Sequence, residues 1–412
     1  MNVLNSKSCS KKNYVLLLML SFFYIYSPII NGKYAIVYVF YPLVLAVLLR
    51  NIKEVKNILS SYSFVFILFI CTFLFLYSLV HSLLGGQLYY SYVFFSYFFI
   101  LIPYCICLII LMQKCSFNNV DFYRLIVLLA IIQSFFVIFT MIFTDLRPLF
   151  IPIDIDKSTL RSFGFTDGVS LGMPAFQGAA VCIAHVLFKI TKKKIYIVVI
   201  PVFLMTIAVN ARTGFVVIFI AIAVYNLLPI FRSSYVFKII LLVVSIILYA
   251  NVINFLEGYF YIEAGSELTT MYWVIDGIVQ LNQIISMQSS TTTDEMYHMI
   301  RIPEDTSSFW LGTGHDIFSA IKNSDLGYVN YLFYGGITFS IILYGLFFYL
   351  YSLTLTNVYN RYDLYILTVV CVSIFVLNLK GRVFHINPML SFLFLINFYY
   401  IFRNRIRFNV YK

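Results

Sequence analysis

Charge is what this chain has least of. Only 11% of its 412 residues are Asp, Glu, Lys or Arg, against 62% hydrophobic, and the mean hydropathy is +0.92. That is too little polar side chain to cover a soluble domain of this size, so the composition excludes an ordinary water-soluble fold and indicates a polytopic membrane protein. Acidic residues are the scarcer sign, 17 against 28 Lys and Arg, for a formal net charge of +11. In a soluble protein that excess would suggest nucleic acid. Here the cations sit at the ends of apolar runs, which membrane orientation explains with no nucleic-acid partner.

Cysteine is sparse as well. Of the seven, Cys71, Cys105, Cys107, Cys182 and Cys371 fall inside apolar runs, while Cys9 and Cys115 lie in segments expected to face the cytoplasm. None falls in an outward loop, so no disulfide is expected. Cys105-Ile-Cys107 is not a metal-ligand spacing, and neither a metal nor another cofactor is expected. No small-residue cleavage site follows Lys7, Lys11, Lys12 and the apolar run behind them, which reads as an uncleaved first span. No internal repeat and no soluble domain interrupts the chain.

What is there is a series of apolar runs of roughly 16 to 25 residues. They lie at about 14–30, 34–49, 61–84, 91–112, 122–144, 169–190, 195–209, 214–230, 236–255, 327–353, 364–379 and 385–402. The expected fold is therefore an all-α integral membrane protein of about 12 transmembrane helices, residues 1–412 forming a single membrane domain with both termini on one side. With the N-terminus inside, the inward segments carry 19 of the Lys and Arg residues and the outward ones 9. That bias places the termini in the cytoplasm. Aromatic residues, 19% of the chain, suit lipid-facing walls, interfacial belts and sugar-stacking surfaces alike, and so identify no ligand.

The longest polar interval, residues 256–326, separates the ninth and tenth spans and holds 10 of the 17 acidic residues. A long polar loop between membrane helices is usually functional. Within it Met271, Val274, Ile275, Ile278, Leu281 and Ile285 recur at helical spacing opposite Asp276, Gln280 and Gln283, the pattern of a short amphipathic helix at the membrane surface. The polar run Ser289-Ser-Thr-Thr-Thr-Asp294 follows, and the chain returns toward the membrane through Trp310-Leu-Gly-Thr-Gly-His-Asp316.

Cations on the disfavoured side need a reason. Arg161, Arg212, Lys380 and Arg382 come from three separate outward connections, each within a few residues of an apolar span, where a cation pairs or binds an anion. Arg212, in Asn210-Ala-Arg-Thr-Gly214, precedes a helix start whose N–H groups favour an anion; the alternative is an interfacial arginine reaching for headgroups. Arg161 carries the same two readings, and Lys380-Gly-Arg382 is either a cationic turn or a sign of a miscounted helix. His315 is a proton carrier or a solvated loop residue. Asp325 is a base for a sugar hydroxyl, an N-cap for the tenth span, or both. Arg301 is a further outward cation, and Trp310 is a sugar-stacking ring or an interfacial aromatic.

In architecture and motifs the chain resembles the bacterial O-antigen polymerases, relatives of the O-antigen ligases. The resemblance is sharpest in Arg161-x-x-Gly164-Phe165, Asn210-Ala-Arg-Thr-Gly214, and Gly312-Thr-Gly314 followed by Ser324-Asp-Leu-Gly-Tyr-Val-Asn-Tyr-Leu332 and Gly335-Gly-Ile337. The ligases begin the last motif with a histidine-asparagine pair; Asp325 stands in that place here, which favours polymerase over ligase. The resemblance implies joining of oligosaccharide repeat units carried on undecaprenyl pyrophosphate at the periplasmic face of the inner membrane, without a metal. Its implied partners are the lipid-linked oligosaccharide, membrane lipid, and a chain-length regulator and a flippase of the same pathway. On that reading Arg212 holds the donor pyrophosphate with Asp325 or His315 as base, and Arg161, Arg301, Lys380, Arg382 and Trp310 bind substrate. The alternatives are a lipid-linked oligosaccharide flippase, which would need charges lining a path through the helices, and an O-antigen ligase, which differs in acceptor.

Overall fold

A computed structural model describes residues 10–30, 34–143, 146, 164–166, 171–211, 213–227, 298–317 and 324–407. Arg161, Arg212, the ninth span, the amphipathic stretch 271–285 and the extreme termini lie outside the described residues.

The described chain is helical: α1 (Lys11–Tyr26), α2 (Ile36–Val39), α3 (Tyr41–Arg50), α4 (Ile52–Leu59), α5 (Tyr62–Leu83), α6 (Leu88–Ser96), α7 (Ile102–Lys114), α8 (Asn119–Ile142), α9 (Gly172–Thr191), α10 (Ile195–Ala208), α11 (Thr213–Leu227), α12 (Thr306–Leu311), α13 (Gly327–Leu355), α14 (Arg361–Leu377) and α15 (Pro388–Arg407). Among the described residues, five stretches are long and apolar enough to cross a membrane: Tyr62–Leu83, Leu88–Lys114, Asn119–Ile142, Gly172–Thr191 and Gly327–Leu355, at 20 to 29 residues each. At about 1.5 Å per residue, even 20 residues match a hydrocarbon core of about 30 Å. Their exposed faces are apolar, as with Phe69, Leu76 and Val80 on α5 or Ile341 and Phe348 on α13. Such a surface is stable against lipid and not against water.

The second expected span is corrected. Residues 34–50 begin with β2 (Tyr34–Ala35), which pairs antiparallel with β1 (Ile29–Ile30), and continue as the four-residue α2 and the ten-residue α3. Pro42 at the start of α3 explains the break, because proline has no N–H for the preceding turn and is accommodated in the first turn of a new helix. The cationic connection after it holds α4, with Val55 and Ile58 buried and Lys53 and Lys56 exposed. That is amphipathic spacing. The five cysteines inside apolar helices are free thiols as expected, but Cys115 is disulfide-bonded, against expectation, to a partner outside the described residues.

Helix α15 is the hub. Its apolar positions from Met389 to Phe402 are almost fully buried, and it packs against α1, α7, α9, α13 and α14. At one end of the bundle a polar network ties α8, α14 and α15. Tyr123 donates to Asp363 Oδ1 at 2.5 Å and shares a hydrogen bond with Tyr400 at 2.6 Å. Asn119 donates to Asp363 Oδ2 and accepts from Arg403, whose guanidinium lies 4.9 Å over the Tyr400 ring. Asp363 is 1% exposed, and the hydroxyl and amide bonds offset the cost of burying its charge. Lys114, whose ammonium donates to Asn51, stands at the same end, the one expected to face the cytoplasm.

Candidate functional site

At the opposite end three connections converge: residues 84–87 between α5 and α6, residues 312–317 and 324–326 before α13, and residues 378–387 between α14 and α15. Two glycine motifs that are about 20 residues apart in the sequence lie against each other there. Helix α13 contains one non-helical residue, Gly336, at φ 68° and ψ −174°, and this kink turns the Phe333 and Tyr334 carbonyls out of the helical ladder. Those carbonyls accept the backbone N–H groups of Thr313 at 2.8 Å and Gly314 at 2.9 Å. The kink can exist because glycine tolerates positive φ, and the close approach because it has no side chain: a Cβ on Gly336 would stand 2.4 Å from the Trp310 carbonyl, and one on Gly312 2.3 Å from that of Tyr334. Tyr77 of α5 clamps the contact, its hydroxyl meeting the carbonyls of Leu311 at 2.8 Å and Gly335 at 3.0 Å.

This docking delivers Asp316 into the interior. Its carboxylate accepts from Arg382 Nη1 at 2.5 Å, from the Tyr90 hydroxyl at 2.9 Å and from Gln87 Nε2 at 3.1 Å. The Gln87 amide oxygen accepts the Asp316 N–H at 3.1 Å, and the Gln87 N–H is donated to the Gly314 carbonyl at 2.8 Å. The Asp316 side chain is 2% exposed and that of Arg382 19%. A buried ion pair persists when its remaining hydrogen-bonding capacity is met, and Tyr90 and Gln87 meet that of Asp316. Arg382 also lies 4.8 Å over the Tyr89 ring. Burial opposes its positive charge, but the negative potential of Tyr90, Tyr89 and Asp316 outweighs that and holds its pKa above the usual guanidinium value.

The rest of the floor is fastened by buried amides. Asn330 donates to the carbonyls of Ser324 at 2.6 Å and Leu326 at 2.9 Å and accepts the Ile317 N–H at 3.2 Å, which ties the chain on both sides of residues 318–323 to α13. Tyr331 accepts the Phe384 N–H at 3.1 Å, and Tyr97 donates to the Phe384 carbonyl at 2.6 Å. The latter lies in a π-helical turn, Tyr97–Leu101, between α6 and α7. Such turns are found frequently at functional sites.

Of the residues singled out in the sequence, Arg382 is at the centre of this cluster, and Lys380 is exposed on the same connection. His315 is next to Asp316 but exposed, with its N–H on the Thr313 hydroxyl at 3.2 Å. Asp325 is exposed and does not cap α13: the N-cap is Leu326, with no side-chain bond. Trp310, 54% exposed, stands on the six-residue α12. Arg301 is half-buried in the segment before it, where the Met299 carbonyl accepts from Ser324 Oγ at 3.0 Å. Arg161 and Arg212 lie outside the described residues. Asp316, Gln87, Tyr90 and His385 were not singled out. Their signal was weak but present: Asp316 ends the Trp310–Asp316 run, Gln87 follows Gly85-Gly86 at a helix start, and His385 is three residues past Arg382.

Among the described residues no group of His, Cys, Asp or Glu is arranged to hold a metal ion. The arrangement offers instead a fixed, partly accessible guanidinium beside phenolic rings at the mouth of an apolar bundle, a setting for oxyanions and hydroxyl groups. No protein-family model matches the chain, and no curated protein matches it.

Proposed function

We propose that this protein is an O-antigen-type polysaccharide polymerase, joining oligosaccharide repeat units carried on undecaprenyl pyrophosphate at the periplasmic face of a bacterial inner membrane. The observation that carries the reading is the Arg382 cluster. At the end opposite the Asp363–Arg403 network, Asp316, itself held by Gln87, and Tyr90 and Tyr89 of the first turn of α6 enclose one arginine of the last connection. A merely interfacial arginine reaches for headgroups on a flexible stem and needs no such cage.

In the reaction, a hydroxyl of the acceptor glycan attacks the anomeric carbon of the donor's first sugar. The bond from that carbon to the pyrophosphate oxygen breaks, the hydroxyl proton passes to a base, and undecaprenyl pyrophosphate leaves. Charge develops on the departing phosphate, where a pre-set guanidinium lowers the barrier. Arg382 fills that role together with Arg212 and Arg161, with Lys380 and Arg301 adding positive potential along the approach. His315 and Asp325, both exposed at the same end, are the bases that water and substrate can reach. Trp310 offers a ring to a sugar face.

The test is the ladder of polymer lengths on the surface of cells in which the gene is deleted and replaced by variants. Loss of the ladder in the deletion, with single repeat units still reaching the surface, supports polymerisation. Arg382→Ala and Arg212→Ala at normal protein level should reproduce it, and Arg212→Lys should restore part of the ladder. A deletion strain with an unaltered ladder sinks the reading, and one lacking single units as well points to transport or ligation.

A further inference from the structure

The last part of the long polar interval dips back along the bundle. Met299 and Ile317 are both fastened to Ser324: the Met299 carbonyl accepts from Ser324 Oγ at 3.0 Å, and the Ile317 carbonyl accepts the Ser324 N–H at 3.2 Å. Ser324 stands just before the start of α13 at Gly327. Between those two points the chain runs along α13 and returns. Its turning point is the end of α12, where the Trp310 carbonyl lies against Gly336 and the Leu311 carbonyl accepts from the Tyr77 hydroxyl. Gly336 is about 13 Å below the start of α13, at about 1.5 Å per residue.

That depth is lipid depth. Helix α5 has 22 residues, about 33 Å, and so fits a hydrocarbon core of about 30 Å almost end to end. Tyr77 is about 9 Å inside the Leu83 end, and side chains on a helix lean toward its N-terminus, here deeper still. The exposed apolar stripe of α5, Phe69, Leu76, Val80 and Leu83, continues past Tyr77 to the end of the helix. Helix α13 agrees: its 29 residues, about 43 Å, exceed the core by about 13 Å, the length of the stretch before Gly336.

The residues of the turn suit that place. Residues 306–314 carry no charge, while Glu304 and Asp305 precede them and His315 and Asp316 follow. Helix α12 starts polar, with Thr306 and Ser307 exposed behind the Asp305 cap, and ends in Phe309, Trp310 and Leu311, the last two exposed. Tryptophan favours the boundary between headgroups and acyl chains. Non-helical backbone at membrane depth is tolerated only where protein meets its hydrogen bonds. The kink at Gly336 does this: the Phe333 and Tyr334 carbonyls it frees take the N–H groups of Thr313 and Gly314, and the Gly312 N–H goes to the Ser308 carbonyl at 2.9 Å.

We infer that residues 299–317 form a re-entrant loop whose tip, Trp310 and Leu311, is inserted into the leaflet on the Arg382 side, at the boundary between phospholipid headgroups and upper acyl chains. The occupant of the exposed tip is lipid because the apolar stripe of α5 beside it is continuous with the lipid-facing wall. Asp316 belongs to the rising limb of the same loop, so the bilayer surface helps to set the height of the Arg382 cluster. The placing does not rest on the polymerase reading. Nor does it compete with that reading, since the phosphate of a lipid carrier lies at the same boundary and its first sugar stays within reach of Trp310.

The experiment uses tryptophan as the probe. The chain has two, Trp273 and Trp310, so in Trp273→Phe all indole emission is that of Trp310. The purified full chain is placed in vesicles of phosphatidylcholine brominated on the upper acyl chain or near its methyl end, with iodide in the buffer as the aqueous quencher. Trp310 should lose most of its emission to the upper bromines, less to the deep ones and little to iodide. Thr306→Trp, in the chain that also carries Trp273→Phe and Trp310→Phe, moves the probe to the polar start of α12 and should be quenched more by iodide than by bromine. Where Trp273→Phe fails to fold, the difference between wild type and Trp310→Phe reads the same ring. Quenching of Trp310 chiefly by iodide overturns the inference, since the tip would then be in water. Protection from every quencher overturns it too, because another protein surface would cover the ring. So does quenching strongest near the methyl end, or an identical pattern at positions 306 and 310.

Discussion

The carboxylate of Asp316 and the guanidinium of Arg382 meet at 2.5 Å across 66 residues of chain, with 2% and 19% of their side chains accessible. The pair joins the end of the longest polar interval to the last connection between helices. The returning chain is thereby locked onto α6 and α15 at one point, and the cation is aimed by the same contact. Fold and candidate chemistry share this bond.

Removing one partner should therefore cost far more than removing both. Asp316→Leu or Arg382→Met leaves a buried charge alone, worth about 3–5 kcal/mol, whereas the double variant leaves an apolar contact and should lose much less. A double-mutant cycle on thermal unfolding of the purified protein reads this directly. Additive losses would mean that the two charges are solvated and the pair is incidental.

The glycine docking makes a sharper claim about backbone. Gly336→Ala places a Cβ 2.4 Å from the Trp310 carbonyl at a φ of 68°, so both the left-handed conformation and the seat of α12 are lost. The strain alone is about 1–3 kcal/mol. Gly345→Ala, in the same helix with nothing within 4 Å of its added Cβ, should be neutral or stabilising by up to about 1 kcal/mol. Equal effects at the two positions, measured by unfolding midpoint, would contradict the kink.

Those two glycines show what the sequence could and could not convey. Helix α5 was legible within a residue or so, and α13 within two, because an apolar run bounded by polar residues specifies a membrane helix almost by length alone. Residues 34–50 were misread because hydropathy is blind to Pro42 restarting the helix, and α4 went unread because its charges masked the Val55 and Ile58 face. Gly312, Gly314 and Gly336 were noticed as motifs, yet nothing in their spacing says that they touch. Arg382 stood out as a cation on the wrong side. Its partner Asp316 did not, since one carboxylate among the 10 of residues 256–326 carries no mark of burial until the chain is folded. Asp325, more prominent by motif, is exposed and caps nothing.

His385 predicts a pH dependence. Its folded pKa, lowered to about 4 by burial and by Arg382, lies below an unfolded value near 6.5, so between those values the unfolded chain binds the extra proton. The stability this histidine contributes is full above about pH 6.5 and is lost as pH falls toward 4, with an amplitude on the order of 3 kcal/mol. Unfolding midpoints of wild type and His385→Phe, compared from pH 7.5 down to pH 4.5, should converge as the wild type falls. Parallel curves would show that the imidazole is already solvated or charged in the native state.

The assignment of sides is testable without any activity. Leu84, 80% exposed, is on the connection that carries Gln87, and Tyr359, 84% exposed, is on the connection leading into the helix of Asp363. The free cysteines at 71, 105, 107, 182 and 371 are buried, so a membrane-impermeant maleimide should find little background from them in the native protein. If the excess of Lys and Arg sets the orientation as the sequence predicts, Leu84→Cys should label in intact cells and Tyr359→Cys only after the membrane is opened. The converse pattern would put Arg382 and Asp316 on the cytoplasmic side, where a periplasmic glycan never arrives, and the polymerase reading would fall with it.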